Sequence, residues 1–114
     1  MEDCVNESDP IHTIRLTGEL EIGRKNEIRD ALRLSEDVGA VLLDLGEVTY
    51  ADSIALTELL RFCVNAQRDD LPVALVIRTP QFARLVQYAG LAGAFKIFGE
   101  HGEAVEYLME RVRR

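Results

Sequence analysis

Residues 41–53, VLLDLGEVTYADS, decide the fold of this chain. The run Val41-Leu42-Leu43-Asp44-Leu45 is almost continuously apolar, which is typical of a central strand covered on both faces. Asp52 and Ser53 are residue types that cap helices, so a helix is expected to begin there. Residues 46–51 are predicted to form the connecting turn. The strand therefore runs directly into an exposed turn at the start of a helix.

Strands and helices alternate on both sides of this stretch. The second helix has a buried stripe that includes Leu56, Leu59 and Cys63 at helical spacing. Alternating or apolar runs, caps and Pro or Gly breaks predict the remaining elements. They are a strand at Ile11–Leu16 that breaks at Thr17-Gly18, a surface helix at Arg24–Glu36, a strand at Val73–Ile77, a helix from Thr79-Pro80 to Gly90, a strand at Ala94–Phe98, a helix at Glu103–Arg113 and a short antiparallel strand at Glu2–Asn6. This order indicates one α/β domain over residues 1–114 with a largely parallel sheet.

The charge of the chain restricts the partners that it can bind. The formal net charge is −7, which disfavours nucleic acid and anionic membrane surfaces. A protein partner with a basic face is favoured instead. The chain has no apolar run long enough to cross a bilayer and no signal-peptide pattern at its start, so we expect a cytoplasmic protein without membrane insertion.

Residues with catalytic or metal-binding chemistry are sparse. His12 and His101 stand in no nucleophile, metal or nucleotide motif, and Cys4 and Cys63 form no CxxC pair. The sequence therefore predicts a non-enzymatic protein with no catalytic residues, no cofactor and no metal. The two cysteines are expected to be a terminal thiol and a small core residue rather than a redox pair.

Asp52-Ser53 has two possible roles. Either residue could serve only as a helix cap. Alternatively, the Ser53 hydroxyl could be an exposed modification site, because a phosphate there would meet free backbone N–H groups and the positive end of the helix dipole.

Four stretches together resemble a STAS domain of the anti-sigma factor antagonist type. They are Ile14–Leu20, Val41–Leu45, Tyr50–Ser53 and Leu85–Leu91, in the family's order and spacing. The resemblance implies a four- to five-stranded mixed sheet with helices packed mainly on one side. It also implies a bacterial regulator of transcription that is a monomer or a homodimer. Such a regulator binds an anti-sigma factor with serine kinase activity. That kinase phosphorylates it, and a phosphatase removes the phosphate.

The family's site residues are carried over by position. Ser53 matches the phosphoacceptor and Asp52 the acid before it, while Glu19 and Glu21 match the neighbouring acidic loop. The expected partner surface adds the turn and the exposed side of the following helix: Thr49, Tyr50, Ile54, Ala55, Glu58, Arg61 and Asn65.

Two departures from the family pattern leave other functions open. Ile54-Ala55 stands where Ser-Gly is usual, and Glu21 stands where Asp is common. The bulky side chains are expected to hinder a kinase that must approach the backbone. The alternatives are a stressosome-type or transport-complex STAS subunit that acts as a non-phosphorylated scaffold, and a small-molecule sensor with a pocket at the strand ends.

Overall fold

The computed structural model describes residues 10–33, 38–88 and 96–113. In chain order the elements are β1 (Ile11–Leu20), a 3-10 turn (Ile22–Arg24), α1 (Lys25–Ala31), β2 (Ala40–Ala51), α2 (Ser53–Arg68), β3 (Val73–Ile77), α3 (Pro80–Tyr88), β4 (Lys96–Phe98) and α4 (His101–Arg113). The predicted strand at Glu2–Asn6 and the predicted cap at Gly90 lie outside the described residues.

The sheet follows the order of the chain, β1-β2-β3-β4, and every described pair of strands is parallel. Leu43 pairs with Ile14 on one side and with Leu75 on the other, so β2 and β3 form the centre. The predicted α/β fold is confirmed. Carboxyl ends of all four strands meet at one edge of the sheet, which is the edge where ligands and partners usually bind in such folds.

Alternation along β2 explains why helices cover both faces. Val41, Leu43 and Leu45 are fully buried on the face covered by α1, α2 and α3, whereas Ala40 and Leu42 are fully buried on the α4 face. A strand buried on both sides needs an almost continuous apolar sequence. Of the described helices, three pack on one face and one on the other, which agrees with the expected packing mainly on one side.

The predicted turn over residues 46–51 is wrong, because β2 continues as a strand to Ala51. Its partner β1 also passes through Thr17-Gly18 and pairs as far as Leu20. Register shifts between Arg15 and Thr17 and between Gly18 and Glu19 accommodate extra residues in the ladder. Gly18 has a φ of +79°, which residues other than glycine rarely adopt. Burial of Leu20 and Ala51 beyond the shifts stabilises the longer ladder.

Cys63 lies in the buried stripe of α2, as predicted. Burial raises the pKa of its thiol to about 12. The thiol is therefore un-ionised near neutral pH and unreactive as a nucleophile. Cys4 lies outside the described residues.

Helix α2 ends in a Schellman motif with Asp70 where glycine is usual. The N–H of Leu71 donates to the Ala66 carbonyl at 2.8 Å, and the N–H of Asp70 donates to the Gln67 carbonyl at 3.0 Å. Asp70 has a φ of +57°. This left-handed backbone is unfavourable for a residue with a Cβ.

We expect Asp70→Gly to increase the free energy of unfolding by about 0.5–1 kcal/mol, because glycine adopts this backbone without a steric cost. Urea unfolding measures the change. Asp69→Gly is the matched control, since Asp69 has a φ of −95° and gains nothing from glycine. A stability for Asp70→Gly at or below that of the control would contradict the prediction.

Candidate functional site

The end of β2 is fixed by two side chains at the start of α3, Thr79 and Gln81. β3 stops at Ile77, so it offers no backbone partner to Ala51. The Gln81 amide takes that place, because Ala51 N–H donates to its Oε1 at 3.1 Å and its Nε2 donates to the Ala51 carbonyl at 2.8 Å. The Thr79 hydroxyl also donates to the Val48 carbonyl. These bonds hold the strand end that leads into Asp52.

Asp52 is the N-cap of α2, and its carboxylate makes two separate hydrogen bonds. Oδ1 accepts from Ala55 N–H at 2.9 Å, which satisfies a free donor in the first turn. Oδ2 accepts from Ile22 N–H at 3.0 Å, at the start of the 3-10 turn after β1. Asp52 N–H also donates to the Leu20 carbonyl at 3.0 Å. Asp52 thus joins the start of α2 to the exit of β1.

Ser53 is the first residue of α2, and its side chain is exposed. Because Asp52 supplies the cap, the interpretation of Ser53 as the helix cap is wrong. Its carbonyl accepts from the Thr57 hydroxyl at 2.9 Å, but within the described part of the chain its own hydroxyl has no hydrogen bond. The hydroxyl is free to react or to contact another molecule.

The loop after β1 carries Glu19 and Glu21 beside this helix start. Glu21 caps the 3-10 turn by accepting from Gly23 N–H at 2.6 Å. Glu19 is exposed and lies opposite Tyr50 in the register. Glu19 and Glu21 therefore lie on the segment that Asp52 connects to the start of α2, where Ser53 is located.

Arg24 fixes the backbone of this loop, although its place in the sequence predicted only the start of a surface helix. Its Nη1 donates to the carbonyls of Thr17 at 2.7 Å and Glu19 at 2.8 Å, while its Nε and Nη2 donate to the Glu27 carboxylate. A Cβ added at Gly18 would lie 3.5 Å from Nη1. The sequence signal for this irregular segment was Gly18, because glycine within an alternating strand often marks a bulge or a close approach of another group.

Two predicted contact residues lie in the interior. Ala55 is fully buried in the core, and Glu58 is only 4% exposed. The expectation that Glu58 lies on the exposed side of α2 is wrong. It shares the buried face with Ala55 and Phe62, and Arg29 of α1 donates to its carboxylate at 3.0 and 3.3 Å. The other predicted contacts are Thr49, Tyr50, Arg61 and Asn65, which are exposed, and Ile54, which is half-buried.

A family model for the STAS domain matches residues 5–104. This chain belongs to the STAS domain family. No curated protein is significantly similar to it in sequence.

Solved structures share the fold of this STAS domain. An anti-sigma factor antagonist from Mycobacterium paratuberculosis is 19% identical with a TM-score of 0.77, over 89% of this chain and 87% of that one. A candidate anti-sigma factor antagonist from Thermotoga maritima is 23% identical with a TM-score of 0.79, over 93% and 90%. A sulfate transporter family protein from Wolinella succinogenes is 14% identical with a TM-score of 0.76, over 92% and 89%.

Asp44 forms a second polar cluster of the STAS domain on the α4 face of the same sheet edge. Its carboxylate accepts from Arg15 at 2.9 and 3.2 Å and from Gly46 N–H at 3.2 Å, and His101 Nδ1 lies 3.7 Å away. Burial acts to raise the pKa of Asp44, but the Gly46 and Arg15 hydrogen bonds outweigh it and the net pKa is lowered. Asp44, the one charged residue in the Val41–Leu45 run, is thus an ionised side chain that contacts both Arg15 of β1 and His101 of α4.

In residues 10–33, 38–88 and 96–113, no three His, Cys, Asp or Glu side chains converge as metal ligands would. No helix there is both long enough and apolar enough to cross a bilayer.

We expect Asp52→Ala to reduce the free energy of unfolding by about 1–3 kcal/mol, because both the helix cap and the bond to Ile22 are lost. Ser53→Ala is the matched control and should change it by less than about 0.5 kcal/mol, since the hydroxyl has no described partner. Urea unfolding at neutral pH measures both. Equal losses for the two variants would contradict the assignment of the cap.

Glu58 should make stability depend on pH. The Arg29 hydrogen bond lowers the pKa of Glu58 below its ordinary value of 4.5 in the folded state. The stabilisation is therefore complete above the unfolded pKa and is lost as pH falls through the lower folded pKa. At pH 7, Glu58→Gln should reduce the free energy of unfolding by about 1–2 kcal/mol.

The difference between the wild type and Glu58→Gln should shrink as pH falls below 4.5. Urea unfolding across a pH series measures it. Glu106→Gln is the control, because Glu106 is exposed and forms no ion pair with a described residue. A Glu58→Gln effect that is constant from neutral to acidic pH would contradict the role of the ion pair.

Proposed function

We propose that this STAS domain is an anti-sigma factor antagonist. It binds an anti-sigma factor that has serine kinase activity, and phosphorylation of Ser53 ends the complex. The observation that carries the proposal is the division of roles between Asp52, which caps α2, and Ser53, whose exposed hydroxyl has no described partner. Structures with the same fold from two bacteria are named as an antagonist and a candidate antagonist.

The switch acts through charge. A phosphate on Ser53 adds about −1.5 to −2 charges at pH 7. The start of the 16-residue α2 tolerates that charge, because its free N–H groups and dipole favour an anion. The same charge opposes docking of a partner, because it adds to the negative charges of Glu19 and Glu21 at the same surface. The fold is retained while a surface matched to a neutral Ser53 is repelled.

The partner surface in this proposal is smaller than the sequence suggested. It consists of Thr49, Tyr50, Ile54, Arg61 and Asn65 around Ser53, with the acidic loop at its rim. Tyr50 is 45% exposed and supplies an aromatic anchor of the kind that dominates binding energy at interfaces. The acidic loop and the net charge of −7 favour a basic face on the partner.

The Ile54-Ala55 departure hinders a kinase less than the sequence suggests. Ala55 is fully buried and its N–H is bound to Asp52, so its methyl group lies away from the approach to Ser53. Only Ile54, which is half-buried, adds bulk at the surface. Ser53 remains the phosphoacceptor in this proposal, and a phosphatase restores the active form.

A second candidate is an assembly subunit of a stressosome or a transport complex. Ile22 favours it, because this side chain is 64% exposed beside the site and apolar surface often marks a protein contact. The fold shared with a sulfate transporter family protein is compatible with it. Light scattering of the purified protein separates the two: a large homo-assembly supports the subunit, and a monomer or homodimer supports the antagonist.

Ser53→Asp should weaken binding to the cognate anti-sigma factor kinase at least tenfold, or about 1.4 kcal/mol, because a negative charge enters the interface. Ser53→Ala should bind like the wild type, and Gln87→Glu is a charge control on the exposed end of α3. Calorimetric titration against each anti-sigma factor kinase of the source organism measures the affinity.

Intact-mass spectrometry after incubation with kinase and ATP should show one phosphate on the wild type and none on Ser53→Ala. Equal affinity of Ser53→Ala and Ser53→Asp, or a phosphate that persists in Ser53→Ala, would contradict the proposal.

A further inference from the structure

A cavity of about 320 Å³ lies at the edge of the sheet opposite to Ser53. The end of α2, the first residues of β3 and β4 and the second half of α4 surround it. Its floor is apolar and is formed by Leu71, Val73 and Leu75. Its rim is polar and carries Lys96, Arg111 and Asp70. Small-molecule sites combine apolar side chains with a few convergent polar groups that fix the orientation of the ligand.

Two cations on the rim are left without acidic partners. Lys96 Nζ lies 6.0 Å from the ring centroid of Tyr107, and Arg111 Cζ lies 5.4 Å from it. Among the described residues, neither forms an ion pair with a carboxylate. Two positive side chains therefore lie beside the Tyr107 ring at one cavity, where an anionic group could contact both.

Asp70 adds a second observation at the same rim. It occupies a left-handed position that glycine would fill without a steric cost. Strained backbone conformations are found disproportionately at active sites, ligand clamps and switch regions. Among the described residues that line the cavity, Asp70 is the only one with a carboxylate, against the two cations Lys96 and Arg111.

We propose that this cavity binds a small organic anion with an apolar body. The apolar part packs on Val73 and Leu75, and the carboxylate or phosphate group lies between Lys96 and Arg111. The volume is near the lower limit for ligand cavities, so the ligand is small. The proposal does not depend on the antagonist function, because Ser53 lies at the other edge of the sheet.

Benzoate is the probe, since it combines a carboxylate with an apolar ring. A ligand of this size should bind with a Kd on the order of 1 mM. Titration followed by two-dimensional ¹⁵N NMR should move the amides of Gln67, Leu71 and Val73. Benzyl alcohol tests the ring without the charge, and inorganic phosphate tests the charge without the ring; both should bind at least fivefold more weakly than benzoate.

Lys96→Gln and Arg111→Gln should each weaken benzoate binding about tenfold, because each removes a charged hydrogen-bond donor. Arg84→Gln is the matched control on the exposed face of α3 and should leave the affinity unchanged. The NMR spectra also report whether each variant is folded. Shifts at the cavity that are equal for benzoate and benzyl alcohol would overturn the proposal. So would an affinity for benzoate that is the same in the wild type and in both cation variants, or no shifts at all.

Discussion

The two hydrogen bonds of the Asp52 carboxylate are the interaction on which the site depends. One oxygen satisfies the first turn of α2 through Ala55 N–H, and the other holds Ile22 N–H at the exit of β1. Because one side chain does both, the acidic loop and the start of the helix keep a fixed relation. Because Asp52 caps the helix, the hydroxyl of Ser53 is not needed as a cap, and it forms no hydrogen bond with a described residue.

The rest of the edge supports this carboxylate from both sides. The Gln81 amide takes the place of a strand that would pair with Ala51. Arg24 donates hydrogen bonds to the Thr17 and Glu19 carbonyls of β1. Both act on backbone atoms, so they fix the path of the chain and leave the exposed side chains free. In the proposed function, this surface changes its charge at Ser53 while the fold beneath it is retained. Family membership and this geometry support the antagonist proposal independently.

Much of the fold could be predicted because its signals are local. Apolar runs located β2 and β3, and helical spacing put Cys63 in the core. Longer-range effects were missed. The extension of β2 to Ala51 depends on two register shifts against β1, and the burial of Glu58 depends on an arginine 29 residues earlier in the chain. Asp52 and Ser53 are both good caps, so only the geometry could assign the cap to Asp52.

Amide hydrogen exchange in Asp52→Asn tests the dual role of this carboxylate most directly. Asparagine keeps one acceptor oxygen and replaces the other with a donor. The account predicts that in the wild type Ile22 and Ala55 amides are both protected, and that in Asp52→Asn one of the two keeps its protection while the other exchanges much faster. Unchanged protection of both amides in the variant would contradict it.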